Sequence, residues 1–215
     1  MPRDVLYRGA VLLGRGLFRA LDLQRVILHR ERLDRPGGAV LAITHFGYLD
    51  FALAEWAVHR QTGRLTRFLI TAPVFDHRVA GPLLRTMRHI PVERAAGGPA
   101  YGKAVAALRA GELVGIFPEG QVNVDDVGLL KTGAVRMAVE ADVPIIPIVV
   151  WGGQRVLTKG QRFSLRRARH SRVIISIGEP MFPGDRPGAD VDLNTLHLYT
   201  ALRAMVQESK LLIER

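Results

Sequence analysis

The fold is set by residues 39–59, AVLAITHFGYLDFALAEWAVH, in which an apolar run is followed by a turn and then by a helical pattern. Residues 39–43 are short, apolar and partly β-branched, which is typical of a buried strand, whereas residues 50–59 have helix-forming composition. Gly47 lies between them and permits a turn. Strand, turn and helix in this order form the repeating unit of an α/β fold.

The same alternation extends along most of the chain. Further strands are predicted at 25–29, 67–71, 90–93, 113–117, 145–151 and 172–177, and further helices at 82–87, 100–110, 132–140 and 191–212. This pattern predicts an α/β fold with a central, largely parallel sheet of about seven strands flanked by helices.

The N-terminal segment has a different pattern. Over residues 5–23, apolar side chains recur at spacings of three or four, and arginines fall together on another side, which predicts a basic amphipathic helix. One interpretation places this helix in a membrane interface, and the other packs it on its own domain. The predicted division is therefore a helix at 1–24 and one domain at 25–215.

Composition limits the classes of function. The 215 residues include no cysteine, which excludes disulfide scaffolds, thiolate zinc sites and cysteine nucleophiles. No apolar stretch reaches the roughly 18 residues of a transmembrane helix, and no secretory signal pattern is present, so a cytoplasmic location is expected. The net charge of +10 indicates an anionic partner, such as a membrane, a phosphorylated substrate or nucleic acid.

Histidine and aspartate occur five positions apart twice, at His45 and Asp50 and again at His29 and Asp34. The second pair lies in a charged turn and is interpreted as incidental. His45 ends a strand and Asp50 begins a helix, the place where an α/β sheet binds its ligands. Histidine suits general base catalysis at neutral pH. The alternative is that Asp50 only caps the helix and His45 is unrelated to it.

Three further segments carry candidate binding residues. Arg94 ends the segment HIPVER (89–94) and is a bidentate donor suited to phosphate or carboxylate, although a surface ion pair with Glu93 is the alternative. Glu119 and Gly120 end GIFPEG (115–120), which is either a close approach to a ligand or a tight turn. Lys131 precedes a helix whose N-terminal amides are able to hold an anion.

The fourth segment, VPIIPI (143–148), contains Pro144 and Pro147 within a buried apolar run. Two prolines in such a run indicate an edge strand or the wall of an apolar pocket.

Together, these four segments in this order resemble the glycerolipid acyltransferases of the 1-acylglycerol-3-phosphate (lysophosphatidic acid) acyltransferase type, over about residues 38–180. The family's His-x4-Asp, Arg-ending, Phe-Pro-Glu-Gly and apolar proline blocks match residues 45–50, 90–94, 117–120 and 143–148. This chain departs from the family pattern at Thr44, where asparagine is usual, at Gly47, where serine is frequent, and at Gln121 and Val122, where Thr-Arg is usual. The lysine often found ahead of the second block is absent.

The resemblance implies acyl transfer from acyl-CoA or acyl carrier protein to a hydroxyl of a lysophospholipid, in phospholipid biosynthesis. His45 would be the base and Asp50 its orienting partner, while Arg94, Glu119, Gly120 and Lys131 would bind the acceptor. Pro144 and Pro147 would line the acyl pocket. It implies no metal, no bound cofactor and no nucleic acid partner. A membrane-associated acceptor implies a protein peripheral on the inner face of the cell membrane.

The main rival is a non-catalytic protein that binds an anionic membrane or lipid. It rests on a cluster of basic side chains, Arg162, Arg166, Arg167, Arg169 and Arg172. A serine hydrolase is excluded because no Gly-x-Ser-x-Gly occurs in the chain.

Overall fold

Seven strands form one sheet in the computed structural model, which describes residues 9, 12, 14, 16, 18–93, 96–157, 168–183 and 190–214. The predicted strands are all confirmed within a residue or two at their ends. In chain order they are β1 (Gln24–Leu28), β2 (Ala39–Ile43), β3 (Thr66–Thr71), β4 (Ile90–Val92), β5 (Leu113–Ile116), β6 (Ile145–Trp151) and β7 (Arg172–Ile177).

The strands lie side by side in the order β1-β7-β6-β2-β5-β3-β4. All neighbouring pairs are parallel except β6 and β7, so the prediction of a largely parallel sheet is confirmed. The central strand β2 is buried at every residue and pairs with β5 and β6. The carboxyl ends of β2, β3, β5 and β6 therefore meet at one edge, where α/β sheets bind ligands.

Helices cover both faces of the sheet, as predicted. They are α1 (Asp50–Thr62), α2 (Ala80–Thr86), α3 (Gly98–Arg109), α4 (Gly133–Ala141) and α5 (Val191–Ile213). Leu41 and Ile43 of β2 pack in one apolar cluster with side chains of α1, whereas Val40 and Ala42 pack in a second cluster with side chains of α3, α4 and α5. Alternate residues of a strand point to opposite faces, so a strand covered on both sides is apolar throughout.

Strand β6 is an interior strand, so the edge-strand interpretation of Pro144, which precedes β6, and of Pro147, which lies in it, is wrong. Pro147 has no N–H to donate to a neighbouring strand, and it lies where the pairing of β6 with β7 is interrupted. The ladder ends at Ile148 opposite Ile177 and resumes as a single bridge between Ile145 and Met181. Proline is tolerated inside a sheet at such gaps.

Most of the predicted N-terminal helix lies outside the described residues. Residues 18–20 are helical, and Phe18, Leu21 and Leu23 are buried in the apolar cluster that also contains α1. The end of this segment therefore packs on the chain's own domain. Within the described residues, no helix has the length and apolar character that crossing a membrane requires.

Candidate active site

His45 and Asp50 meet at the carboxyl end of β2. The Nδ1 atom of His45 lies 3.4 Å from Oδ2 of Asp50. On a regular helix two residues five apart point in different directions, so the turn between them brings the side chains together. The Asp50 side chain is fully buried, whereas the His45 side chain is 22% exposed and is therefore reachable by a substrate.

The Asp50 carboxylate holds this turn in place. Its Oδ2 accepts hydrogen bonds from the backbone amides of Phe46 and Gly47, both at 2.6 Å. The capping position of α1 is occupied by Leu49, which makes no side-chain capping bond. The alternative in which Asp50 is the helix cap is therefore wrong, because its carboxylate binds the amides of the turn that carries His45.

A loop that follows β6 packs directly against the turn. Tyr48 donates its backbone N–H to the carbonyl oxygen of Leu157, and a Cβ atom at Gly47 would lie 2.9 Å from that same oxygen. Gly47, where the family often has serine, is thus required here for close packing. On the other side, Gly153 approaches Oδ1 of Asp50, which has no hydrogen-bond partner among the described residues.

Burial in this packed environment raises the pKa of the Asp50 carboxyl, against the lowering effect of its bonds to His45 and to the two amides. The carboxylate that faces Nδ1 is thus enclosed by protein. Such a carboxylate orients the imidazole and favours its protonated form during proton transfer.

The segment after β5 holds the other side of His45. The ring of Phe117 stacks on the imidazole, with centroids 4.2 Å apart. The backbone amide of His45 donates to Oε1 of Glu119 at 3.4 Å, and its carbonyl oxygen accepts from the amide of Asn123 at 2.8 Å. The parallel strands β2 and β5 therefore place two separate sequence motifs in contact.

Glu119 is a buried carboxyl with an unusual protonation state. Burial raises its pKa to about 8, and the negative charges of Asp50 and Asp126 add to the rise, while the amides of His45 and Gly128 oppose it. Its Oε2 atom has no hydrogen-bond partner within the described residues. At neutral pH Glu119 is therefore mainly a neutral acid, able to donate one hydrogen bond to a hydroxyl or phosphate oxygen.

Gly120 and Lys131 lie beside Glu119. Gly120 has a φ of +69°, which side chains other than glycine rarely adopt, and a Cβ atom there would lie 2.9 Å from Nζ of Lys131. The backbone amide of Lys131 donates to the carbonyl oxygen of Pro118 at 2.9 Å. An exposed ammonium group thus lies beside Gly120, in the segment whose Glu119 accepts from the His45 backbone.

Other predicted site residues are placed elsewhere. Arg94 lies outside the described residues, as do Arg162, Arg166 and Arg167 of the rival cluster. The carbonyl oxygen of Pro144 accepts from Val40 at the amino end of β2, the sheet edge opposite His45. Pro147 is buried in the sheet. His29 is exposed and lies 3.9 Å from Glu31, so the structure pairs only His45 with the aspartate five positions on.

Three contact residues of the site escaped sequence reasoning: Phe117, whose ring stacks on the histidine, Asn123 and Gly153. Glycine directly after an apolar strand is the signal that pointed to Gly120, and the same signal is present at Gly152 and Gly153 after β6. Asn123 contributes only its backbone amide to His45, so its residue type carries no signal. Within the described residues, no group of three or more acidic or histidine side chains is arranged to hold a metal ion.

Comparisons with known proteins agree with this architecture. The chain is 28% identical over 168 residues to the 1-acyl-sn-glycerol-3-phosphate acyltransferase of Bacillus subtilis (strain 168). The aligned region covers 74% of each chain. It is 29% identical over 138 residues to an uncharacterized protein of Mycobacterium leprae, with 59% of this chain and 36% of that protein covered.

The crystal structure of the 1-acyl-sn-glycerophosphate acyltransferase from Thermotoga maritima has the same fold. The two structures superpose with a TM-score of 0.79 at 20% sequence identity. The match covers 97% of this chain and 81% of the Thermotoga maritima chain. The family model described as Acyltransferase matches residues 25–151, more than half of the sequence and the part that contains His45, Asp50 and Glu119. The chain therefore belongs to the Acyltransferase family.

Proposed function

We propose that this acyltransferase moves a fatty acyl group from a thioester, acyl-CoA or acyl carrier protein, to a free hydroxyl of a lysophospholipid. The acceptor we favour is 1-acylglycerol-3-phosphate, which places the enzyme in phospholipid biosynthesis. The observation that carries this proposal is the contact between a partly exposed imidazole and a buried carboxylate, His45 Nδ1 to Asp50 Oδ2, at the ligand-binding edge of the sheet.

An alcohol needs a base to attack a thioester at neutral pH. His45 takes the hydroxyl proton while the acceptor oxygen bonds to the thioester carbonyl carbon. The tetrahedral intermediate collapses, the bond between carbon and sulfur breaks, and the protonated imidazole returns its proton to the departing thiolate. Asp50 keeps the imidazole in the required orientation and stabilises its positive charge.

The acceptor is held by groups beside the base. The neutral carboxyl of Glu119 donates a hydrogen bond to an acceptor oxygen, which avoids the repulsion between a carboxylate and a phosphate. Lys131 supplies a positive charge for the phosphate, and Arg94 is proposed as a second donor. Gly120, proposed as part of the acceptor site, leaves room for the Lys131 side chain. The wall of the acyl pocket stays a prediction for Pro144 and Pro147.

The relative from Bacillus subtilis supports the choice of acceptor, because its name specifies 1-acyl-sn-glycerol-3-phosphate. A net charge of +10 and a lipid acceptor support a peripheral location on an anionic membrane, at the inner face of the cell membrane.

The proposal is tested by thiol release from acyl-CoA and from acyl carrier protein, with lysophosphatidic acid and other lysolipids as acceptors. His45→Ala should lower acceptor-dependent release by roughly 10²-fold or more, because it removes the base. The matched control is His29→Ala, which removes a histidine with the same spacing to an aspartate and should leave the rate unchanged. Equal losses in both folded variants, or full activity of His45→Ala, would contradict the proposal.

A further inference from the structure

Exposed apolar side chains are concentrated at the edge of the sheet that carries His45. In the part of the chain that the structure describes, twelve large apolar side chains are exposed. Seven of them lie on segments that follow the carboxyl ends of β2, β3 or β5, namely Tyr48, Phe51, Val74, Val79, Leu83, Val124 and Leu129. Water-exposed apolar groups gathered at one edge indicate an interaction surface.

Three of these side chains lie on the segment after β3. We call them, with Arg78 and Arg85, the α2 patch: Val74, Val79, Leu83, Arg78 and Arg85. Val79 is 76% exposed, Val74 42% and Leu83 41%. Val79 and Leu83 are four residues apart at helix α2, so their side chains share one face.

The exposure of the α2 patch results from packing on its other side. Phe75 and Leu84 of the same segment are buried, and the amide of Gly81 donates to the carbonyl oxygen of His77 at 2.8 Å. Helix α2 is thus fixed to the protein by one apolar face, and a second apolar face is left in water. A segment that only served the core would bury the larger share of its apolar side chains.

The charged side chains of the α2 patch indicate which kind of surface it binds. Arg78 and Arg85 are exposed, and neither forms an ion pair within the described residues. The guanidinium of Arg85 lies 5.9 Å from the ring centroid of Phe75, at the base of the patch. The two arginines outweigh the one exposed carboxylate of the segment, Asp76, so the apolar side chains are flanked by net positive charge. This matches a surface that is apolar inside and anionic outside, which describes a bilayer of acidic lipids.

We propose that the α2 patch docks this enzyme on an anionic lipid bilayer, with Val74, Val79 and Leu83 entering the interface and Arg78 and Arg85 on lipid phosphates. The role of the patch rests on the proposed function, because a lysophospholipid acceptor must be drawn from a membrane. Strand β3 is two positions from β2, so the end of β3, from which the patch segment starts, lies roughly 10 Å along the sheet edge from the strand that carries His45.

Aromatic contacts join strand β3, which precedes the patch, to His45. Phe68 of β3 contacts Phe117 with centroids 6.3 Å apart, and Phe117 stacks on His45.

The test is co-sedimentation of the full chain with vesicles of phosphatidylcholine that contain phosphatidylglycerol, compared with vesicles of phosphatidylcholine alone. The double variant Val79→Asp/Leu83→Asp should lower the partition coefficient at least tenfold. The matched control, Leu196→Asp/Leu211→Asp, adds the same charge at side chains of α5 that are 56% and 63% exposed, and it should change partitioning less than twofold. Arg78→Gln/Arg85→Gln should reduce the preference for phosphatidylglycerol roughly tenfold or more.

Several results would overturn the docking surface. The first is weak binding of the wild type to vesicles that contain phosphatidylglycerol. The second is a partition coefficient of Val79→Asp/Leu83→Asp equal to that of the wild type. The third is an equal loss of partitioning in Leu196→Asp/Leu211→Asp. Circular dichroism checks the fold of each variant. Thiol release with an acceptor below its critical micelle concentration separates the two proposals, because α2 variants should keep that activity. If the α2 variant alone lost vesicle binding but the wild type transferred no acyl group to any acceptor, only the proposed function would be refuted.

Discussion

Replacement of Asp50 by asparagine should separate catalysis from stability. In the folded protein, Oδ2 of Asp50 accepts from the amides of Phe46 and Gly47 and faces Nδ1 of His45. An asparagine carbonyl oxygen is able to accept the same bonds, so the turn should persist. The negative charge that stabilises the protonated imidazole would be lost, and acyl transfer should fall by roughly 10²-fold to 10⁴-fold.

The stability of this variant follows from the direction of the Asp50 pKa. Burial raises that pKa above its value in the unfolded chain, so the carboxyl favours folding less as the pH rises through the folded-state pKa. Asparagine removes the carboxyl whose charged form burial disfavours, but it places an amide nitrogen at the position of Oδ1, which has no hydrogen-bond partner among the described residues. These two effects oppose each other, so the Tm of Asp50→Asn at pH 7 should stay close to that of the wild type.

Asp50→Ala supplies the contrast. It leaves two buried amides without an acceptor, at a cost of about 1–3 kcal/mol each. For a chain of this size, about 1 kcal/mol corresponds to roughly 2–4 °C, so Tm should fall by about 4 °C or more. Thermal unfolding by circular dichroism and thiol-release assays measure both quantities. A large loss of Tm in Asp50→Asn, or activity within tenfold of the wild type, would refute the assignment of Asp50 as the partner of His45.

Two further predictions concern the segment after β5. Burial raises the pKa of Glu119 to about 8, so the stability that its neutral form contributes is lost between the unfolded and folded pKa values. The Tm of the wild type should therefore fall relative to that of Glu119→Gln as the pH rises from 5 to 8.5. Parallel curves of Tm against pH would contradict this. Arg203 of α5 binds Asp126, two residues from the Gly128 amide that holds Glu119. Arg203→Gln should lower kcat/KM roughly twofold to fivefold with Tm unchanged, and Arg203→Lys should retain more activity; a parallel drop in Tm would assign Arg203 to stability alone.

The strands were predictable because each is a short apolar run bounded by turn residues. Residues 39–43 and 145–151 are buried at every position, and a strand covered by helices on both faces requires such a run. Strand order was not predictable. Periodicity shows that a residue is buried but not which strand lies beside it, so Pro147 gave the wrong impression of an edge strand.

The sequence by itself determined that strands and helices alternate and that four motifs occur in the order of the acyltransferases. It also distinguished His45 from His29, because only His45 stands between an apolar strand and a helix. Local residue types determine these properties, since they depend on propensity, periodicity and spacing.

Only the tertiary structure decided how the motifs act together. The parallel pairing of β2 with β5 brings Phe117 and Glu119 onto His45, and the loop after β6 encloses Asp50. Burial then raises the pKa of Glu119, which depends on the surrounding protein and not on the residue type. Contacts between residues far apart in the chain, and the exclusion of water that they cause, turn separate motifs into one site.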